Sequence, residues 1–183
     1  MRLFVGVDIP EGFRKKIADI QEQIGSKNAE IRFMEPKNLH YTLKFLGDVE
    51  EDNFEEVKNL LSITSRGFEK FTASICNLGY FGSGNYVRVL WLGMDKGKEE
   101  FVKLAGVVDK KLSYIKKEDF EPSPHLTIGR VSFVKDKTKL LEQLKRFNGV
   151  KIGSFVVDEI KLKQSVLSPK GPTYKDEAVF KLR

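Results

Sequence analysis

Asn38-Leu39-His40-Tyr41-Thr42-Leu43-Lys44-Phe45-Leu46-Gly47 and, much further along, Pro124-His125-Leu126-Thr127-Ile128-Gly129-Arg130 share one pattern. These are the only two histidines in the chain, and each is followed two residues later by threonine within an apolar run. Residues i and i+2 of a strand point to the same face. Each imidazole therefore lies beside its own threonine hydroxyl, while Tyr41, Leu43, Leu126 and Ile128 point into the opposite, buried layer. The context repeats as well: Glu35-Pro36 precedes His40 and Glu121-Pro122 precedes His125, as a degenerate internal duplication would leave them. If the two copies pack about a pseudo-twofold axis, the two pairs meet across a groove.

Working outward, Leu3 to Ile9 reads as a strand ending at Pro10. Residues 11 to 24 read as an amphipathic helix, with Phe13, Ile17, Ile20 and Ile24 on one stripe and Gly25 as its stop. Ile31 to Phe33 and Leu39 to Leu46 read as strands, and Phe54, Val57, Leu60 and Leu61 mark a second helix. Phe71 to Leu78 and Tyr86 to Leu92 read as strands joined by a hairpin through Gly79 to Asn85. That glycine-rich stretch lacks the Lys-Ser/Thr ending of a phosphate-binding loop. Phe101 to Leu112 gives a third helix, His125 to Phe133 a strand, and Leu140, Leu141, Leu144 and Phe147 a fourth helix. Phe155 to Ile160, Leu162 to Leu167 and Ala178 to Leu182 read as closing strands, with Pro169, Gly171 and Pro172 in a loop between the last two. Strands in consecutive groups separated by single helices predict an α+β fold with mainly antiparallel sheet.

A chain of 183 residues with 40% hydrophobic content suits one compact domain or two small lobes sharing a core. Its 32 Lys and Arg against 26 Asp and Glu give a net charge of +6, a mild bias towards anionic partners such as RNA, DNA or a phosphorylated metabolite. Cys76 is the single cysteine, which excludes an internal disulfide and any site built from several thiolates. It sits in an apolar strand as a small core residue. The N-terminus lacks the regions of a signal peptide, and no stretch approaches the 18 apolar residues of a membrane span. A cytoplasmic protein is expected.

Two titratable groups on opposite sides of a small tetrahedral centre suit phosphodiester cleavage by in-line displacement. One imidazole takes the proton of the attacking oxygen and the other protonates the departing oxygen. The threonine hydroxyls are placed to hold the non-bridging oxygens, and no metal is required. A zinc site needs at least a third ligand, and neither motif carries an Asp, Glu or Cys at ligand spacing. The spacing does not assign which histidine is acid and which base. The other reading of the same residues is an RNA-binding or cyclic-nucleotide-binding module without turnover.

The paired motifs, His40 to Leu43 and His125 to Ile128, resemble the two-histidine phosphoesterase superfamily. Within it the chain is similar to the RNA 2′,3′-cyclic phosphodiesterases, also called 2′-5′ RNA ligases. The likeness runs from Arg2-Leu3-Phe4-Val5-Gly6-Val7-Asp8-Ile9-Pro10, through Val89-Leu90-Trp91-Leu92-Gly93, to the second motif. The resemblance implies a single two-lobed domain over residues 1–183, with pseudo-twofold symmetry, helices on the outer faces and a central groove. It also implies metal-independent, cofactor-free hydrolysis of a terminal 2′,3′-cyclic phosphate on RNA to a 2′-phosphate, and reversible 2′-5′ joining of tRNA halves, by a monomer. Carried over, His125 is the proton acceptor that activates water, His40 the proton donor to the 3′-oxygen, and Thr42 and Thr127 orient the phosphate.

The family pattern also places an arginine near the phosphate. Arg130 lies five residues beyond His125, which on a regular strand turns it away, so a bulge at Gly129 is expected to bring it back. Lys44 shares face parity with His40 and Thr42, which would add positive charge to the groove or leave it in solvent. Phe4 is either a base-stacking or a core phenylalanine. Tyr174, in Lys170-Gly171-Pro172-Thr173-Tyr174, is a candidate substrate contact.

Overall fold

The chain, described by a computed structural model over residues 1–83, 86–116, 122–168 and 171–183, alternates strands and single helices. The order is β1 (Arg2–Asp8), α1 (Glu11–Ile24), β2 (Ala29–Phe33), a 3-10 turn (Pro36–Asn38), β3 (His40–Asp48), α2 (Glu51–Arg66), β4 (Phe71–Phe81), β5 (Val89–Met94), α3 (Lys98–Lys111), β6 (Leu126–Val134), α4 (Lys137–Lys145), β7 (Lys151–Val157), β8 (Glu159–Ser168) and β9 (Gly171–Lys181). The α1 stripe of Ile17, Ile20 and Ile24 is buried, and the helix stops at Gly25, whose positive φ of 56° suits glycine.

All described ladders are antiparallel, in the order β7-β4-β5-β6-β3-β1-β8-β9, with β2 added alongside β6. This is the expected α+β architecture, with its two halves on either side of the β6–β3 step. That step is the narrowest in the sheet: β3 and β6 share one registered pair, Tyr41 with Leu126. The sheet cannot be flat. Six strand spacings of about 4.8 Å separate β7 from β8, roughly 29 Å, yet one residue, Asp158, links them. Two Cα–Cα steps span at most about 7.6 Å, so the sheet curls until its far strands meet.

The helices lie on one face of this curl and leave the other free. α2 and α3 pack on the β3 half, against β8, β9 and β3, whereas α1 and α4 pack on the β6 half, against β6, β7 and β4. The connections exchange helices: β1 leads into α1 across the seam, and β5 leads into α3 across it the other way. The repeat seen in the two motifs thus extends to β1-α1-β3-α2 and β5-α3-β6-α4.

Several boundaries differ from expectation: β4 runs on through Gly79 and Tyr80 to Phe81, read above as turn, and β5 starts at Val89 rather than Tyr86. The run Phe155 to Ile160 is two strands broken at Asp158, because β7 pairs with β4 and β8 with β1. Its true start at Lys151 is hidden by Gly153, at φ 159°, whose bare backbone lies under the Phe13 ring. The last strand begins at Gly171, not Ala178, and Pro172 and Tyr174 are inside it, paired with Leu167 and Ser165. Its Lys175-Asp176-Glu177 run is polar and mostly exposed, so it carries no apolar alternation to read. Gly84, Asn85, Glu121, Pro169 and Lys170 lie outside the described residues.

Tyr41 holds the seam from the helix side. It is fully buried, packs its ring 5.8 Å from that of Phe101 on α3, and donates its hydroxyl to the Gly93 carbonyl of β5 at 2.8 Å, reaching past β6. Tyr41→Phe leaves that carbonyl without the hydroxyl, and urea unfolding is expected to show a loss of about 1–2 kcal/mol.

Candidate active site

His40 opens β3 and His125 immediately precedes β6, and the two rings are fixed alike. His40 Nδ1 lies 2.7 Å from the Asn38 carbonyl oxygen, and His125 Nδ1 lies 2.7 Å from that of Ser123. A carbonyl only accepts, so Nδ1 carries the hydrogen in both rings and Nε2 is left to take up or release a proton. The Asn38 side-chain amide donates to the Pro172 carbonyl at 3.1 Å, tying the turn before His40 to β9.

The registered pair Tyr41–Leu126 fixes how the motifs face each other. Counting one residue each way along antiparallel strands sets His40 across from Thr127 and Thr42 across from His125. All four are half-buried on the face opposite the helices, while Tyr41, Leu43, Leu126 and Ile128 are buried beneath. The imidazoles and the hydroxyls occupy opposite diagonals of one tile. Such diagonals span about 7–8 Å between attachment points, room for a phosphoryl group between the two rings.

Both strands then bulge at the same place. In β3 the register with β1 slips past Leu43, and in β6 the register with β5 slips past Ile128. The slip in β6 returns Arg130 to the groove face, as expected; Met34 N–H at 2.9 Å and Gln21 Nε2 at 2.8 Å both donate to the Ile128 carbonyl at the irregularity. The slip in β3 overturns the reading of Lys44. It is 3% exposed, turned into the helix layer, where it pairs with Asp109 of α3 and donates to the Lys116 carbonyl at 2.9 Å. Phe45, 49% exposed, takes the groove position instead.

Aromatic rings wall both histidines. Phe4 stands 4.8 Å from the His40 ring, and Tyr174 stands edge-on 5.0 Å from both. Phe4 is only 2% exposed, so it supports His40 and offers no free face to a base. Phe81 stands edge-on 4.9 Å from His125, backed by Trp91 at 5.3 Å. Sequence reasoning missed Phe81 and Gln21; the one signal for this wall is Trp91, opposite Thr127 in the β5–β6 ladder.

Burial pushes the His40 imidazole down to about 4, opposed by the Asn38 hydrogen bond and the Asp8 carboxylate and helped by the Lys163 ammonium. Asp8 is opposite His40 in the β1–β3 ladder. It belongs to an ion network, with Lys161 at 2.9 Å and Lys163 at 3.0 Å, both of which also reach Asp176, at 2.8 and 2.5 Å, while Lys161 lies 3.7 Å from Glu159. Among the described residues no three His, Cys, Asp or Glu side chains gather as a metal site needs, and no helix is long and apolar enough to cross a membrane.

A family model described as LigT-like phosphoesterase matches residues 7–91. A protein of Methanothermobacter thermautotrophicus named RNA 2′,3′-cyclic phosphodiesterase is 40% identical over 100% of this chain and 99% of its own length. One of the same name from Methanocaldococcus jannaschii is 40% identical over 95% of this chain and 96% of its own. A crystal structure from Thermus thermophilus superposes with a TM-score of 0.84 at 27% identity, covering 100% of this chain and 98% of that one.

Folding holds His40 neutral where an unfolded imidazole, titrating near 6.5, takes up a proton. The stability this contributes is complete above about pH 6.5 and is lost as pH falls towards 4. Between pH 7 and 5.5, before most carboxylates titrate, urea unfolding of the wild type against His40→Asn is expected to narrow by about 1 kcal/mol. A difference that stays constant over that interval contradicts the depressed value.

Proposed function

The chain belongs to the LigT-like phosphoesterases of the two-histidine superfamily, and from that premise we propose that it opens a terminal 2′,3′-cyclic phosphate on RNA to leave a 2′-phosphate, with His125 and His40 as its acid–base pair. That it is a hydrolase of the RNA 2′,3′-cyclic phosphodiesterase kind follows from the relatives. The observation that carries the assignment of residues is the tile: two imidazoles on one diagonal and two hydroxyls on the other, on a helix-free face.

In the proposed step, His125 Nε2 takes a proton from water, the water oxygen bonds to phosphorus, and the bond from phosphorus to the 3′-oxygen breaks. His40 Nε2 gives its proton to that oxygen, leaving a 3′-hydroxyl and a 2′-phosphate. Thr42 and Thr127 donate to the non-bridging oxygens, and Arg130 and Tyr174 hold the substrate beside them. With two imidazoles moving the protons, no metal is needed. His40 is neutral in the empty groove, and the phosphate anion lodged against it supplies the charge that favours the imidazolium. Binding therefore draws in the proton that the departing oxygen receives.

Replacing the water by the 5′-hydroxyl of a second strand gives a 2′-5′ bond by the same proton transfers, which extends the reading to joined tRNA halves. The proposal treats the whole chain as one catalytic unit, working as a monomer in the reducing cytoplasm that suits its lone buried thiol, Cys76.

His40→Ala and His125→Ala are each expected to cut hydrolysis of cyclic-phosphate RNA at least about 10²-fold, with RNA affinity within a few-fold of wild type and no effect of a chelator. Full activity in either variant refutes the pairing. The His40 ring, followed by NMR, is expected to titrate near 4 in the free protein and about one unit or more higher with the 2′-phosphate product bound.

A further inference from the structure

The two imidazoles are oriented by the same local device, yet their neighbours on the next strand differ. β1 and β5 are counterparts in the repeat, β1 lying beside β3 and β5 beside β6. On β1 the ladder partner of His40 is Asp8. On β5, one residue on from the Leu92 and Leu126 pair, Gly93 comes across from His125. A carboxylate therefore attends one ring and bare backbone the other. Side chains paired across antiparallel strands stand about 4.5–5.5 Å apart at Cβ, near enough for the charge of one to bear on the other.

Asp8 is held fast. Lys163 Nζ lies 3.0 Å from its Oδ1 and 3.2 Å from its Oδ2, and Lys161 Nζ lies 2.9 Å from Oδ2. These two lysines, two residues apart on β8, share a face and bridge onward to Asp176 of β9, which is the ladder partner of Lys163. A row of alternating charge thus crosses β9, β8 and β1 and ends at the His40 ring on β3. Lys163 is 6% exposed, so water screens it little. At the ring Lys163 and Asp8 pull in opposite directions, and burial outweighs the carboxylate, which leaves the imidazole neutral in the empty groove.

The other groups against His40 bring no negative charge. Tyr174 of β9 is a phenol whose proton burial retains, and the arginines that act on it, Arg130, Arg32 and Arg2, are positive. Phe4 of β1 is apolar, and across the seam on the β6 side stand the Thr127 hydroxyl and the His125 ring. Among the described residues, Asp8 is the anion that faces this imidazole.

We propose that Asp8 is a positioning residue that makes His40, rather than His125, the proton donor: its carboxylate, clamped by Lys161 and Lys163, stabilises the imidazolium that forms when a phosphate enters the groove. The inference rests on the phosphodiesterase reading above and deepens it with a group that touches neither the substrate nor the reacting atoms. The proton passes from solvent to His40 Nε2 and from there to the 3′-oxygen, and Asp8 takes up none of it.

Titration of both histidines by NMR tests this in the wild type, Asp8→Asn, Asp8→Glu and Lys163→Met, each free and with a dinucleotide 2′-phosphate bound. In the complex, Asp8→Asn is expected to move the His40 midpoint down by about half a unit or more, and Lys163→Met to move it up by a similar amount. Asp8→Glu, which keeps the charge, is expected to restore most of the difference, and His125 to move less than about half as far as His40 in every variant. Half a unit is about threefold in the imidazolium population at fixed pH, so kcat of Asp8→Asn at pH 7 is expected to fall about threefold or more with KM within about twofold. A His40 midpoint that coincides in the wild type and Asp8→Asn overturns the proposal, as does a His125 midpoint that moves as far as that of His40, the mark of a merely structural change. If Asp8→Asn does not fold, Lys163→Met decides with the opposite sign, and an unmoved His40 there overturns the proposal equally. Midpoints that shift as expected, in a wild type that turns over no cyclic-phosphate RNA, overturn the phosphodiesterase reading and leave the hold of Asp8 on the ring in place.

Discussion

One pair of residues, Tyr41 opposite Leu126, governs the rest of the molecule. Strand pairing at that point settles which side chains look outward, because a slip of one residue turns every side chain on a strand to the other face. With this register, two histidines and two threonines from distant parts of the chain meet above the sheet and four large apolar side chains meet below it. Core and groove are therefore set by the same contact. The Tyr41 hydroxyl and the Asp158 link enforce it from two sides, one by bonding β3 to β5, the other by forcing the sheet to curl.

The two halves use the same local devices to aim their side chains. Each imidazole is oriented by a carbonyl two residues earlier in the chain, a bond that any tilt of the ring would break. Each motif is followed at once by a bulge, so that whatever stands five residues beyond the histidine is returned to the groove. There the symmetry ends. The residue returned is Phe45 on one strand and Arg130 on the other, and a ladder partner is Gly6 beside Thr42 but Trp91 beside Thr127. A repeated frame thus holds an asymmetric surface, as a substrate with direction requires.

Much of this was legible in the sequence because period-two patterns and helical stripes survive in the apolar residues. The α+β class, the four helices and the shared face of each His-Thr pair all follow from that. Lys44 and Arg130 show where the rule fails and why. Both are read by parity, and parity holds only until a bulge; Gly129 gave a warning on one strand, whereas Leu43 is an ordinary strand residue and gave none. Tyr174 was misplaced into a loop because its strand, polar and at the sheet's edge, has no alternation.

The crossed helices carry a consequence of their own. Each half of the sheet is roofed by a helix that the chain delivers from the opposite half, α1 after β1 and α3 after β5. A fragment containing only the first motif would expose the apolar underside of its sheet while carrying a helix with nothing to cover, and the second fragment would mirror it. The partition is interlocked like clasped hands. The first imidazole is completed only when the last strand closes the sheet, because Tyr174 and the Asn38–Pro172 bond reach it from the far end of the chain.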